Sequence, residues 1–236
     1  MDIKNGYLEL LRRCLTRSLF LGRRQLIDRV RGADWPDDAE TMIGDIRLEN
    51  IRHCLATVIK EQIPGDFIEC GVWRGGACIY AKAVIESLAS QMKVFVADSF
   101  CGFPAPTNPI DMSATFLHEP KLKVSRKTVE ENFLLYRLLD ERVQFVEGYF
   151  RETVPLLAHE TFSVLRIDCD LYEPTTLILE QLYPRLSVGG FVIIDDYAAI
   201  DTSAMAVENF RRSNHIMEVL EPIGTTCACY WRKCSQ

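Results

Sequence analysis

Short apolar runs alternate with longer amphipathic stretches along most of the chain. The runs are rich in β-branched residues and predict buried strands, at 66–70, 93–97, 143–147, 162–167 and 190–194. Apolar residues at helical spacing predict helices, at 76–88, 127–139, 172–186 and 203–212. Repeated strand–helix units favour an α/β fold, with a doubly wound and mostly parallel sheet and helices on both faces.

The stretch before the first predicted strand has helical spacing only. Residues 7–31 and 41–60 predict helices, and the stretch 32–40, which contains a Trp-Pro-Asp-Asp sequence, predicts a loop between them. We therefore expect two units, an N-terminal helical extension or lid over residues 1–60 and a sheet domain over residues 61–236.

The end of the chain has a different pattern. Apolar residues recur at 216–220 and 225–232, on either side of Pro222-Ile223-Gly224. Two such runs around turn residues predict an antiparallel hairpin, which would give the sheet an antiparallel C-terminal strand.

Two carboxylate clusters stand directly after two of the predicted strands. Asp168 and Asp170 follow one of them, and Asp195 and Asp196 follow the next. Parallel strands lie roughly 5 Å apart and end at the same edge of a sheet, so we expect these acids to gather there. A single acid in this position is explained by a helix cap or by solvent exposure. Two matched clusters instead favour a hard divalent cation with oxygen ligands, which would balance their charge.

A glycine-rich segment follows the first predicted strand. Gly71, Gly75 and Gly76 permit close approach of a ligand to the backbone, although packing in a tight turn explains them equally well. Their spacing fits neither a P-loop nor a dinucleotide fingerprint, which excludes the nucleotide-hydrolase and NAD-oxidoreductase motifs. Glu69 in the same segment would repel a pyrophosphate but would suit a cationic ligand.

The next two strands also end in candidate ligand groups. Asp98 is well placed to accept hydrogen bonds from ribose hydroxyls, or alternatively to cap a turn. After the third strand, Gly148 permits close approach and Phe150 offers an aromatic surface for a flat base. Together these positions predict a nucleoside-type ligand across the strand ends.

The charge of the chain argues against nucleic acid as a partner. The formal net charge is −6, and the excess of basic residues is confined to the first thirty-one positions. No stretch approaches the roughly twenty consecutive apolar residues that a membrane span requires. The nine cysteines form no C-x-x-C pair and have no zinc-ligand spacing, so we expect reduced thiols in a cytoplasmic protein.

Several of these segments, in this order, resemble the macrocin O-methyltransferase family over residues 7–232. The segments that carry the resemblance are Glu40–Gly44 with Arg47-Leu48 after it, Glu69–Gly76, Asp98–Pro104, Arg166–Glu173 and Gly189–Tyr197. The resemblance implies a Rossmann-like class I methyltransferase that uses S-adenosylmethionine and a divalent metal, usually Mg²⁺. Members of the family methylate sugar hydroxyls of secondary metabolites, including macrolide and aminocoumarin antibiotics. Residues 61–236 would then form the S-adenosylmethionine-dependent methyltransferase domain.

The resemblance also implies roles for individual residues. Glu69 would face the amino-acid end of the cofactor, Asp98 its ribose, and Gly148 and Phe150 its adenine. Met42 would close over the cofactor, and Asp170 would be the general base. The remaining implied cofactor-site residues are Gly71, Gly75 and Ser99, and the implied metal ligands are Asp168, Asp195 and Asp196.

Alternatives remain at this point. A methyltransferase for a catechol-like or other diol would use the same metal site, and a non-catalytic S-adenosylmethionine-binding protein would keep the cofactor pocket. Cys101 and Phe103 depart from the family pattern in a loop that should line the cleft, which bears on the identity of the acceptor. We expect a small-molecule glycoside as the acceptor and a homodimer as the assembly.

Overall fold

The structure is a computed structural model that describes residues 3–234, so the outermost residues of the two predicted units lie outside it. Its helices are α1 (Ile3–Leu15), α2 (Arg23–Arg31), α3 (Gly44–Lys60), α4 (Gly76–Ser87), α5 (Arg126–Leu135), α6 (Phe150–Thr153), α7 (Tyr172–Leu182) and α8 (Asp201–Ser213). Its strands are β1 (Asp66–Cys70), β2 (Val94–Asp98), β3 (Val143–Glu147), β4 (Phe162–Ile167), β5 (Leu186–Ile194), β6 (Glu221–Pro222) and β7 (Cys229–Arg232).

The strands form one sheet in the order β3-β2-β1-β4-β5-β7-β6. Strands β1 to β5 are parallel, and β7 is antiparallel to both β5 and β6. The predicted doubly wound, mostly parallel sheet with an antiparallel C-terminal strand is therefore confirmed. The strand order reverses between β1 and β4, and the carboxyl ends of such neighbouring strands are where open α/β sheets bind their ligands.

The two faces of the sheet are covered by two separate hydrophobic cores. Phe67 and Val164 pack into the core beneath α1, α3, α4 and α5, whereas Ile68 and Leu165 pack into the core beneath α7 and α8. Side chains alternate between the faces of a strand, so strands covered on both faces have the near-continuous apolar runs seen in the sequence.

The N-terminal helices pack directly against the sheet domain. Leu8, Leu11 and Leu15 of α1 are buried in the same core as α4. Gly32 and Gly44, at φ +65° and +73°, let α2 and α3 meet backbone to backbone, since a Cβ on Gly44 would lie 2.4 Å from the amide nitrogen of Gly32. This packing holds residues 39–43 beside the glycine-rich loop that follows β1.

The prediction of a strand at 216–220 is wrong. The segment has an apolar pattern, but Met217 and Val219 are 87% and 74% exposed, and the amide of Ile216 donates to Arg211 at the end of α8. The strand that pairs with β7 is only Glu221–Pro222, and proline lacks the N–H needed to extend the ladder.

The helix predicted at 41–60 begins later than expected, at Gly44, which leaves Met42 in a loop. The long connection after β2 contains three short 3₁₀ turns, at Asp111–Ser113, Thr115–His118 and Pro120–Leu122. Among the described residues, no helix has both the length and the apolar character needed to cross a bilayer.

Candidate active site

The carboxyl ends of the five parallel strands form one continuous row. After β1, β3, β4 and β5, the first residue donates its amide N–H to an adjacent strand over 2.9 to 3.0 Å, and these residues are Gly71, Gly148, Asp168 and Asp195. The ladder hydrogen bonds thus continue one residue beyond the strands. These hydrogen bonds fix the backbone positions of the predicted site residues relative to the sheet.

Gly71 allows the β1 loop to cross the end of β4. A Cβ at this position would lie 1.8 Å from the carbonyl oxygen of Asp168, and the backbone has φ +88°. Both the close approach and the left-handed conformation require glycine. The glycine therefore brings the first loop into contact with the segment that carries the acids.

The predicted acids gather at this edge. Asp168, Asp195 and Asp196 each offer one carboxylate oxygen, and these three oxygens lie within 4.8 Å of one another. Asp170 lies two residues after Asp168 in the left-handed conformation, at φ +63°, and its carbonyl accepts a hydrogen bond from the Thr202 hydroxyl over 3.1 Å. All four acids line the same cavity.

A fully buried arginine forms hydrogen bonds with this cluster of carboxylates. Arg166 on β4 lies in register with Glu69 on β1, and its guanidinium donates to Glu69, to Asp195 and, over 2.8 Å, to Asp168. The Cys78 thiol on α4 donates to the other oxygen of Glu69. Although burial by itself would lower the pKa of Arg166, the surrounding carboxylates raise it well above its usual value, so the side chain stays charged.

A second arginine connects the N-terminal helices to the site. Arg47 on α3 is buried, and it donates to the oxygen of Asp195 that Arg166 does not contact. Its remaining N–H groups donate to the carbonyls of Ile43, over 2.7 Å, and Gly32, over 2.8 Å. The residues before α3 are thereby fixed to a candidate metal ligand.

The site contains more carboxylates than positively charged side chains. Glu69, Asp168, Asp170, Asp195 and Asp196 are five carboxylates against two guanidiniums. Burial raises the pKa of Asp168 and Asp196 well above the usual range of a carboxyl, and neighbouring carboxylates add to this. Burial also raises the pKa of Asp170 to about 7, against a hydrogen bond with Asp196 that acts the other way. The cluster therefore lacks positive charge.

The donor set fits a hard divalent cation. Three carboxylate oxygens within coordination reach of one point, with no soft ligand among them, suit Mg²⁺ or a similar ion. A double positive charge would also offset most of the excess of carboxylates. Asp168 and Asp195 would share their oxygens with the arginines, whereas no arginine contacts Asp196 among the described residues.

The opposite end of the row suits a nucleoside. The carboxylate of Asp98 accepts hydrogen bonds from the amides of Val72, over 2.9 Å, and Phe100, over 2.8 Å, which fixes its orientation. Its outer lone pairs remain available to hydroxyl groups of a ligand. Burial raises the pKa of Asp98, and the hydrogen bonds from the two amides partly offset this effect.

One cavity of about 740 Å³ joins the two ends of the site. The predicted site residues that line it are Met42, Glu69, Gly71, Asp98, Ser99, Phe150, Asp168, Asp170, Asp195 and Asp196. Gly75 and Gly148 do not line it. A Cβ at Gly75 would lie 2.6 Å from Val129, and one at Gly148 would lie 2.8 Å from Thr153, so local packing accounts for both glycines.

Three contributors were not singled out from the sequence. Arg166 stands inside an apolar strand, and that single charge in a buried run was a usable signal. Arg47 belongs to a segment that carries the family resemblance, but its position in an amphipathic helix indicates no role of its own. Asp111, in the long loop after β2, is only 1% exposed, and no local pattern in the sequence marks it.

Comparisons with known proteins identify the family of the chain. A sequence profile described as macrocin-O-methyltransferase (TylF) matches residues 24–233. The chain is 40% identical to 8-demethyl-8-(2,3-dimethoxy-alpha-L-rhamnosyl)-tetracenomycin-C 4'-O-methyltransferase of Streptomyces olivaceus, over 98% of this chain and 94% of the relative. It is 43% identical to demethyldecarbamoylnovobiocin O-methyltransferase of Streptomyces niveus, over 87% of this chain and 80% of the relative.

A solved structure supports the same assignment. The O-methyltransferase NovP superimposes with a TM-score of 0.92 at 39% identity, over 98% of this chain and all of that one (100%). The profile and both relatives span most of the sheet domain together with part or all of the N-terminal helices. The chain therefore belongs to the macrocin O-methyltransferase family and is an S-adenosylmethionine-dependent O-methyltransferase.

Proposed function

We propose that the protein transfers the methyl group of S-adenosylmethionine to a sugar hydroxyl of a glycosylated natural product, with the help of a divalent cation such as Mg²⁺. One observation supports this most strongly. The oxygens of Asp168, Asp195 and Asp196 lie within 4.8 Å of one another, with Asp170 beside them, in a cavity that also reaches Asp98. The relative from Streptomyces olivaceus is named for methylation of a rhamnosyl tetracenomycin, and this supports a glycoside as acceptor.

The proposed cofactor site runs along the strand ends. Asp98 accepts hydrogen bonds from the ribose hydroxyls, with Ser99 beside it, and Phe150 packs against the adenine. Glu69 faces the amino-acid end, and Gly71 leaves room for close approach to the backbone. Gly75 and Gly148 act by shaping the two loops, and Met42 closes the site from the N-terminal side.

The proposed metal site consists of Asp168, Asp195 and Asp196. When bound there, a divalent cation would lower the pKa of the acceptor hydroxyl and fix its direction. Arg166 and Arg47 hold Asp195 in place, so the site is preorganised by two buried guanidiniums. The assignment of the metal depends on the three carboxylate oxygens of this chain.

The proposed reaction is a direct displacement. S-adenosylmethionine, when bound, supplies an electrophilic methyl group on a sulfonium. Asp170 accepts the proton of the acceptor hydroxyl as the new carbon–oxygen bond forms and the carbon–sulfur bond breaks. The remaining contribution of the protein is to hold two reactants in line, which removes much of the entropic cost of their encounter.

The test is a panel of acceptors with release of S-adenosylhomocysteine as the readout. Demethyldecarbamoylnovobiocin and the rhamnosyl tetracenomycin are compared with their aglycones and with catechol, each with Mg²⁺ and with EDTA. We expect Mg²⁺-dependent turnover of at least one glycoside and none of the aglycones. Turnover of catechol alone would favour a diol methyltransferase, and cofactor binding without any turnover would favour a non-catalytic binding protein.

Three further expectations belong to the same proposal. Residues 1–60 act as a cover for the cofactor, because Arg47 donates to Asp195 and the carbonyl of Glu40 accepts the amide of Gly76. The chain forms a homodimer through its basic N-terminal segment, which exposes the apolar side chains of Ile3, Leu10 and Phe20. The rest of the chain has a net negative charge, which would attract this segment of a second copy. The protein works in a reducing cytoplasm, consistent with nine free cysteines. Light scattering that shows only a monomer would contradict the second of these.

A further inference from the structure

Asp111 joins the loop over the cavity to the segment that carries the acids. It lies on a 3₁₀ turn, and its carboxylate is nearly completely buried. One oxygen accepts the amide N–H of Tyr172 over 2.7 Å, and the other accepts that of Glu173 over 2.9 Å. These amides are the first two of α7, so Asp111 caps this helix from sixty residues away in sequence.

Helix α7 has no cap of its own. Leu171, at the N-cap position, has an extended backbone and no side chain that can accept a hydrogen bond. The free amides and the dipole at a helix start favour a negative charge, which Asp111 supplies. No cation pairs with Asp111 among residues 3–234, so its partners are the two amides.

The capped helix start lies immediately after the proposed base. Asp170 is separated from Tyr172 by one residue and has the left-handed backbone, which few non-glycine residues adopt. The Thr202 hydroxyl fixes the carbonyl of Asp170 on one side. On the other side, Leu171 donates its amide to the carbonyl of Cys169 and accepts the amide of Thr175, which joins Asp170 to the start of α7.

The same loop forms much of the cavity wall. Phe103, Thr107 and Phe116 line the cavity, and the Thr107 hydroxyl donates to Glu173 over 2.6 Å as a second tie to α7. Order in the loop and the position of Asp170 are therefore linked through the carboxylates of Asp111 and Glu173.

We infer that Asp111 is a positioning residue, which holds the start of α7, and through it the Asp170 carboxylate, in register with the acceptor hydroxyl when the loop covers the cavity. This inference rests on the proposed function, because it concerns the same reaction. Asp111 lines the cavity, but both oxygens of its carboxylate accept the two amides of α7, so its effect belongs to the methyl-transfer step and not to cofactor affinity.

The test is Asp111→Asn, which keeps the shape of the side chain but presents an N–H₂ group to one of the two amides. We expect kcat to fall at least about tenfold, since a small misplacement of a reacting group has a large effect on rate. The dissociation constant for S-adenosylmethionine should stay within about twofold, because no proposed cofactor contact changes. The acceptor is whichever of the two glycosides the wild type methylates.

Ser125→Ala is the matched control. The Ser125 hydroxyl accepts the amide of Thr128 over 3.2 Å and caps α5, none of whose residues lines the cavity. Its loss should lower the melting temperature comparably and leave kcat unchanged. An unchanged kcat in Asp111→Asn, or a fall in kcat that Ser125→Ala reproduces at equal loss of stability, would overturn the inference.

Hydrogen exchange on the wild type tests the cap without any variant. The amides of Tyr172 and Glu173 should exchange slowly, and unprotected amides at these two positions would contradict the capping. A wild type that binds S-adenosylmethionine but methylates neither glycoside would contradict the proposed function and the catalytic part of the inference. Turnover by the wild type with an equally active Asp111→Asn would contradict the inference alone.

Discussion

Asp170 combines a left-handed backbone with a raised pKa, and both features follow from its position. Aspartate and asparagine tolerate this conformation better than most residues do, because their short polar side chains hydrogen-bond locally. Burial raises the pKa of Asp170 to about 7. A base whose pKa lies near the working pH is well matched to accepting a proton from a hydroxyl.

Asp170→Asn should therefore preserve the backbone and remove the base. We expect kcat to fall by ~10²-fold or more, the usual loss for a general base, with S-adenosylmethionine affinity largely unchanged. Steady-state kinetics and calorimetry measure the two quantities. Asp201→Asn, at an exposed acid that does not line the cavity, is the control. Normal turnover in Asp170→Asn would remove this residue from the role.

Asp196 offers the cleanest test of the metal site at the residue scale. Removal of Asp195 would leave Arg47 without a carboxylate partner in the protein interior and would take one of three from Arg166, which is strongly destabilising in its own right. Asp196→Asn strips no arginine of its partner, yet it removes one charged ligand. We expect Mg²⁺ affinity to fall at least about tenfold with cofactor affinity unchanged, as measured by calorimetry. Unaltered Mg²⁺ binding would exclude Asp196 as a ligand.

At the scale of elements, the site depends on how loops cross the strand ends. Gly71→Ala would place a Cβ against the carbonyl of Asp168, and this crossing cannot relax without moving β1 or β4. We expect a loss of at least about 3 kcal/mol in the free energy of unfolding, from strain and overlap together. Urea unfolding measures it.

Gly102→Ala is the matched control for that substitution. Gly102 has nearly the same backbone, φ +92°, but a Cβ there would meet only Lys123 at 3.7 Å. Its cost should be that of the left-handed backbone alone, about 1–2 kcal/mol. Equal losses in the two variants would contradict the role assigned to the crossing.

Much of the element pattern was predictable because strands covered on both faces have continuous apolar runs. The acids were predictable because parallel strands end at one edge, which requires no knowledge of tertiary contacts. The absence of a strand at 216–220 was not predictable, since an apolar alternation does not reveal that the segment is hydrogen-bonded to the C-terminal end of α8. Asp111 was not either, because a cap supplied from sixty residues away has no local signature. Arg47 acts through contacts that only the packing of α3 creates.

At the scale of the whole molecule, the carboxylate cluster couples stability to pH and metal. Burial raises the pKa of Asp170 from 3.8 to about 7, so the folded protein binds this proton more tightly than the unfolded chain. Without metal, the stability from Asp170 is full below 3.8 and is lost as the pH rises towards about 7. Asp168 and Asp196 shift in the same direction.

Mg²⁺ should therefore stabilise the protein more at about pH 8 than at about pH 6, because it binds the deprotonated acids. At a concentration of about 100 times the dissociation constant, binding contributes about 2.7 kcal/mol, or roughly 5–10 °C in Tm for a chain of this size. Thermal melts at both pH values, with and without Mg²⁺, measure the effect. An equal shift at both values would show that the acids are not the ligands.

The most direct measurement is mass spectrometry of the product formed from S-adenosylmethionine and demethyldecarbamoylnovobiocin or the rhamnosyl tetracenomycin by the wild-type protein with Mg²⁺. We predict a product heavier by one methylene group, formed together with S-adenosylhomocysteine, with the added mass in the sugar fragment. A methyl group on the aglycone, or no product from either glycoside by a protein that binds the cofactor, would contradict methyl transfer to a sugar hydroxyl.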